Sequence, residues 1–159
     1  MKTSILCAIF LCVLSLFILE CQSNFKAISP TINPFQNVSL VSVYDGDTVM
    51  VNLSDLSLPD VFGKRISIRI RHIDAAEMTG HLPCEHDMAV KAKTVVESLL
   101  KNAKKIDLEN VGRDKYFRLD ADLISDGISI GKVLLDKKLA VPYEGETKSK
   151  TDWCKMLQK

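Results

Sequence analysis

The sequence predicts an α+β protein, a small antiparallel barrel that carries helices. Short segments in which apolar and polar residues alternate stand both before and after one long amphipathic segment, the pattern expected of strands around a helix. Turn residues separate the alternating segments at short intervals, which favours hairpins between neighbouring strands. The chain has 159 residues and no internal repeat, so we expect one folded domain.

Three strands are predicted in the first half of this domain. The third has the clearest pattern, because Ile66, Ile68 and Ile70 alternate with polar residues and the run ends near Ile73. In order, we predict a strand over 40–44, a hairpin turn at Asp45-Gly46, a strand over 49–53, a polar loop over 54–63, a strand over 66–73 and a loop over 74–83.

A long helix opens the second half, where apolar residues recur every three or four positions and form one stripe. The stripe comprises Ala89, Ala92, Val96, Leu99 and Ala103, and predicts a helix over 85–103. Further strands are predicted from 106 and over 119–123, then a turn at 125–127, a short helix capped by Ser129 and a polar tail after Pro142.

The N-terminal segment predicts export. Lys2 precedes an apolar run over 5–19, which is the length of a signal-peptide core and short for a membrane-spanning helix. We therefore expect a signal peptide over 1–23 and a secreted or periplasmic protein. Cys21 after the run leaves a lipoprotein signal or an uncleaved membrane anchor as alternatives. Residues 24–38 are expected to be an irregular lead-in to a domain over 39–159.

Charge and cysteine content narrow the function classes. Lys and Arg total 21 against 20 Asp and Glu, which excludes a globally basic coat for nucleic acid. Removal of the signal peptide would leave Cys84 and Cys154, an even pair that permits one disulfide in an oxidising compartment. Cys84 also lies between His81 and His86, so a zinc site is the alternative for this cysteine.

Four acidic residues stand at the ends of predicted strands: Asp45, Asp47, Asp74 and Glu77. Oxygen ligands from such side chains are what Ca²⁺ and Mg²⁺ require, although Asp45 alone is explained by the hairpin turn. Arg69 lies on the third predicted strand and Arg118 begins a later one. A guanidinium group can bind two oxygens of one phosphate at once. Together with a metal, this set is suited to attack on a phosphodiester.

Three short motifs, in order and at matching intervals, resemble the staphylococcal (micrococcal) nuclease family. The resemblance covers about 39–143, and a segment at Leu139-Ala140 resembles the one that closes the family's domain. The motifs are Asp45-Gly46-Asp47-Thr48-Val49, then Arg69 followed by Ile73-Asp74-Ala75-Ala76-Glu77, then Asp114-Lys115-Tyr116-Phe117-Arg118.

The resemblance implies a five-stranded OB-fold barrel with about three helices and a calcium-dependent endonuclease. Such an enzyme cleaves DNA and RNA, single- or double-stranded, into 5′-hydroxyl and 3′-phosphate ends, and is expected to be a monomer. The resemblance implies that the carboxylates of Asp47 and Asp74 and the carbonyl of Ala75 bind calcium. It implies that Glu77 is the general base and that Arg69 and Arg118 contact the phosphate. The nucleotide would be bound by Lys115, Tyr116 and Tyr143.

Two positions depart from the family pattern. Ala76 replaces a proline before Glu77, which is expected to loosen the loop that aims the base. Phe117 replaces a glycine before Arg118, which would cost stability if that position needs an unusual backbone angle. A rival function is a non-catalytic OB-fold module in the cell envelope that binds nucleic acid or protein, because fold does not fix function.

Overall fold

The computed structural model describes residues 33–55, 57–145 and 151–157. The predicted signal peptide over 1–23 and most of the lead-in lie outside these residues. The described part is a mixed α+β structure with a curled, half-barrel sheet of five strands, and it contains four helices. Within it, no helix has the length and apolar character needed to cross a membrane.

The curled sheet has the strand order β1-β2-β3-β6-β5, and a two-residue strand, β7, extends it beside β6. The predicted strands of both halves are present, as are the hairpins β1–β2 and β5–β6. The bounds are Ser39–Val43 (β1), Thr48–Asn52 (β2), Ile66–Ile70 (β3), Ile106–Arg113 (β5), Leu119–Ser125 (β6) and Ile128–Ser129 (β7).

The prediction of a purely antiparallel barrel is wrong at one junction. Strands β3 and β6 run parallel, with Ile68 opposite Leu119 and Ile70 opposite Ala121. A parallel pair needs a long crossover connection, and here the crossover contains the long helix and β5. The alternation of apolar and polar residues does not reveal the direction of a neighbouring strand, because side chains alternate between the two faces in parallel and antiparallel pairs alike.

A second, two-stranded sheet was not predicted. It pairs β4 (Ile73–Ala75) with β8 (Ala140–Pro142). The predicted third strand therefore ends at Ile70 rather than near Ile73, and the predicted loop over 74–83 begins two residues too early. Asp74 and Ala75 lie in β4, opposite Val141 and Ala140. All three residues of β4 are buried, and a strand this short carries too few residues for alternation to be recognised.

The four helices are α1 (Asp60–Gly63), α2 (Pro83–Lys101), α3 (Ile130–Asp136) and α4 (Trp153–Leu157). Helix α2 buries Ala89, Ala92 and Val96 of the predicted apolar stripe, but it ends at Lys101, two residues before Ala103. The Ser129 hydroxyl accepts a hydrogen bond from the Lys132 N–H at 3.3 Å, which confirms the predicted cap of α3.

The end of the predicted lead-in is part of the sheet. The N–H of Val38 donates to the carbonyl of Ile106 at 2.8 Å, and the N–H of Leu108 donates to the carbonyl of Phe35 at 2.8 Å. These bonds connect the segment that precedes β1 with β5, which is the strand at the opposite edge of the sheet. Because Val38 is also buried in the main core, the lead-in contributes to closing the curled sheet.

A small second core lies on the other side of α2. Ala76, Met88, Ala89 and Trp153 form this cluster and are all buried. A disulfide joins Cys84 in α2 to Cys154 in α4, with the Cα atoms 5.0 Å apart. The C-terminal helix is thereby fixed against α2 and against the chain that leaves β4.

Candidate active site

A cavity of about 810 Å³ opens where the β1–β2 turn, the end of β3 and the β5–β6 turn meet. Most of the predicted site residues line it, although they come from distant parts of the sequence. They are Asp47, Arg69, Glu77, Lys115, Tyr116, Arg118 and Tyr143. Asp74 and Ala75 lie behind its wall in β4, and Asp74 approaches the cavity through an ion pair with Arg69.

The inner wall of the cavity is a buried cluster of charge. Asp47, Asp74 and Arg69 are 4%, 6% and 8% exposed, although charged residues are seldom buried this far without partners. The Arg69 guanidinium lies 2.9 Å from Oδ2 of Asp47 and 3.3 Å from Oδ1 of Asp74. Its Nη1 also donates to the carbonyl of Ile70 at 3.2 Å, which fixes the side chain against β3.

Burial raises the pKa of Asp47 from its ordinary value of 3.8 to about 7. The Arg69 charge and a 2.8 Å hydrogen bond from the Ala75 N–H favour the carboxylate, while the neighbouring Asp45 and Asp74 oppose it. We call Asp45, Asp47 and Asp74 the acidic cluster. Its carboxyl groups would be further stabilised as anions by additional positive charge.

Close packing, rather than turn geometry, requires glycine at position 46. A Cβ there would lie 2.6 Å from Cβ of Ala92 in α2 and 2.8 Å from Cβ of Ala75 in β4. The Asp45-Gly46 pair was predicted as a hairpin signal, and it does join β1 to β2. Its glycine also lets the long helix press directly against the turn that carries Asp45 and Asp47.

The acidic cluster offers carboxylate oxygens, the ligand chemistry of a hard divalent cation such as Ca²⁺. Within the described residues, no group of three or more His, Cys, Asp or Glu side chains is arranged around a common metal position. Arg69 lies against the two carboxylates that the sequence predicts as ligands. The carboxylate donors therefore fit calcium. In this structure the positive charge beside Asp47 and Asp74 is that of the Arg69 guanidinium.

The outer wall of the cavity is the 114–118 turn between β5 and β6. Asp114 organises it: Oδ1 accepts from the N–H groups of Tyr116 at 2.8 Å and Arg118 at 2.9 Å, and Oδ2 accepts from Nε of Arg118 at 2.8 Å. Burial works against the charge of Asp114, but these hydrogen bonds outweigh it and hold its pKa below the ordinary value. Arg118 is thereby oriented while 40% of its side chain stays exposed.

Phe117 occupies a backbone conformation that favours glycine. Its φ is +63°, and its N–H closes the turn by donating to the carbonyl of Asp114 at 2.9 Å. The third position of such a hairpin loop is where glycine normally lies. Phenylalanine at position 117 therefore strains the backbone. This is the condition under which Phe117 was expected to cost stability.

Glu77 is exposed and lies on the loop that follows β4. The preceding Ala76 is buried in the second core with Trp153, and the carbonyl of Glu77 accepts from the Gly80 N–H at 3.0 Å. The loop was expected to be loose because Ala76 replaces proline. Here the second core, held to α4 by the disulfide, restrains the chain immediately before Glu77.

The zinc alternative at Cys84 is not supported. The sulfur of Cys84 is bonded to Cys154, and a ring nitrogen of His86 lies 3.0 Å from the carbonyl of Met78. Zinc binds cysteine as a thiolate, so a disulfide removes this ligand.

Several residues of the cavity were not predicted. Tyr44 is exposed on its rim, and Glu144 lines it with Oε2 lying 2.9 Å from Nδ1 of His72. The role of Asp114 was also missed, although an acidic residue that begins a turn and stands four positions before an arginine is a signal for it. Tyr44 and Glu144 gave no such signal, because only the fold brings them to the cavity.

No protein-family model and no curated protein matches this chain.

Proposed function

We propose that this protein is a calcium-dependent nuclease of the staphylococcal nuclease type, built on an OB-fold barrel. The observation that carries the proposal is the arrangement of one cavity: a buried acidic cluster on its inner wall, Arg118 on its outer wall and Glu77 exposed at its edge. Cleavage of a phosphodiester needs these three functions, which are anion binding, a general base and a place for a cation.

Arg118 is suited to hold a phosphate. Its guanidinium is oriented through Nε by Asp114, and its terminal amino groups carry further N–H donors. Two such donors match the oxygens of a phosphoryl group and stabilise the charge that develops during attack. Glu77, at the same cavity, is suited to accept a proton from the attacking water.

Asp47, Asp74 and the carbonyl of Ala75 would hold the calcium ion. When bound, calcium would polarise a phosphoryl oxygen and neutralise part of its charge. Arg69 contacts both aspartates. Arg69 also lines the cavity, so for it to contact phosphate as the resemblance implies, its guanidinium must exchange part of its contact with the acidic cluster for the phosphate.

Nucleotide recognition is proposed to be weakly sequence-specific. Tyr116, Lys115 and Tyr143 line the cavity and offer aromatic faces and an ammonium group rather than a set of paired donors and acceptors. Stacking of this kind accepts every base and favours single strands. A formal net charge of +1 supports an attraction for DNA or RNA that comes from a local site rather than from a field around the whole protein.

Export is part of the proposal. A disulfide between Cys84 and Cys154 suits an oxidising compartment, and the predicted signal peptide provides the route to one. We propose a secreted or periplasmic monomer, with attachment to the membrane through residues 1–23 as the alternative.

The second candidate is a non-catalytic module that binds nucleic acid. One observation favours it: Arg69 already forms ion pairs with the two aspartates that calcium would need. A site closed in this way would keep Arg118 and Tyr116 for binding while lacking the metal.

Digestion of single-stranded DNA separates the two candidates. The disulfide-bonded protein should degrade the DNA in calcium and not in chelator, and E77Q should reduce the rate by a factor of about 10²–10⁴, as expected for loss of a general base. His72→Gln, at an exposed residue of the same cavity, is the matched control and should keep most activity. Binding without cleavage in calcium would favour the module.

A further inference from the structure

We propose that Phe117 is a stacking platform for a base that lies outside the cavity, so that the protein prefers single strands several nucleotides long. The proposal rests on the nuclease function and deepens it, because it adds a nucleotide subsite to the same site. Its ligand is an unpaired base of single-stranded DNA or RNA.

Position is the first argument. Tyr116 lines the cavity, whereas Phe117, the next residue along the turn, stands outside it. The two aromatic side chains are 70% and 79% exposed at the tip of the 114–118 turn. A strand with one base against Tyr116 would thus bring a neighbouring base toward Phe117.

Backbone strain is the second argument. Phe117 has a φ of +63°, a conformation that costs a bulky residue stability and costs glycine none. The ring recovers little of this by packing, because it is among the most exposed apolar side chains of the described residues. A large apolar residue that is both strained and exposed is better explained by contact with a ligand than by folding.

Charge around the turn is the third argument, and it selects nucleic acid. The Lys115 ammonium lies 5.5 Å from the centre of the Tyr116 ring, and Nη1 of Arg113 donates to the carbonyl of Phe117 at 2.8 Å. With Arg118, three cations flank two aromatic rings within six residues. Two adjacent rings with cations on either side match a strand whose stacked bases are joined by phosphates.

The test compares stability with affinity in one variant. F117G should raise the melting temperature by about 2–6 °C, because glycine removes the strain. In an E77Q background with calcium, it should weaken binding of an eight-nucleotide oligo-dT by roughly 5- to 50-fold, the range for loss of one stacked base. Binding of the dinucleotide of the same base should change less than twofold in F117G. The variant F117W should restore the affinity for the eight-nucleotide strand.

Phe62 provides the matched control. It is 66% exposed in α1, which follows the end of β2 remote from the cavity, and F62A should leave both affinities unchanged. If F117G binds the eight-nucleotide strand as E77Q does, the proposal is overturned and the nuclease function stands. If E77Q binds neither oligonucleotide, both are overturned. Loss of binding to anionic lipid vesicles in F117G, with oligonucleotide binding unchanged, would assign the turn to a membrane instead.

Discussion

The two walls of the cavity are built in opposite ways. On the inner wall, Asp47, Asp74 and Arg69 are buried and belong to or adjoin strands β2, β3 and β4. On the outer wall, Arg118 and Tyr116 project from a turn that is ordered by hydrogen bonds to Asp114. The inner wall is therefore part of the folded core, while the outer wall can change without disturbing it.

Matched arginine variants should expose this difference most strongly. R69A leaves two buried carboxyl groups without the guanidinium between them, so we expect a loss of about 3–5 kcal/mol in unfolding free energy together with loss of activity. R118A should change stability by about 1 kcal/mol, because its ion pair with Asp114 is only partly buried and joins two residues of one turn. It should still lower kcat/KM by a factor of about 10²–10³.

Urea unfolding and initial-rate measurements on both variants check the comparison. Equal stability losses in R69A and R118A would mean that the two walls do not differ in this way.

Removal of the disulfide should affect the loop that carries Glu77. The double variant C84S/C154S opens a link between residues 70 positions apart, and we expect it to lose about 2–5 kcal/mol of stability. Because Trp153 and Ala76 share one small core, kcat should fall severalfold while KM changes little. Below the melting transition, unchanged kcat would show that the second core does not position Glu77.

The fold was predicted where local patterns determine it. Alternating isoleucines in β3 and the stripe of α2 depend on burial of one face, which the sequence displays directly. The β4–β8 pair and the parallel β3–β6 pair depend on partners far apart in the chain, and local patterns do not specify them.

The site was predicted to a similar extent. The motifs identified the residues that meet at the cavity, because each motif is a short segment at the end of a strand or in a turn. They did not show that Arg69 pairs with Asp47 and Asp74, since that contact depends on which way a long side chain turns. Ligation by the Ala75 carbonyl stays a prediction.

Burial of Asp47 should make stability depend on pH. Because folding raises its pKa from 3.8 to about 7, the folded carboxyl keeps a proton that the unfolded chain releases between these values. The free energy of unfolding in chelator should therefore decrease, by on the order of 1–3 kcal/mol, as pH rises from about 4 to about 7. D47N should flatten this decrease. D114N should not, because the pKa of Asp114 is lowered by folding.

The smallest expected effect is that of D114N on activity. Asparagine can still accept from the N–H groups of Tyr116 and Arg118 but loses the charged hydrogen bond to Nε of Arg118. We expect kcat/KM to fall about three- to tenfold with little change in melting temperature. A fall as large as that of R118A would mean that Asp114 does more than orient the arginine.

The chemistry of the cleaved ends tests the central claim most directly. A single-stranded oligonucleotide is digested by the purified protein in calcium, with E77Q and chelator as blanks, and the products are identified by mass. The proposed mechanism predicts calcium-dependent products with 5′-hydroxyl and 3′-phosphate ends, nearly absent in both blanks. Products with 5′-phosphate ends, or no calcium-dependent products at all, would contradict it.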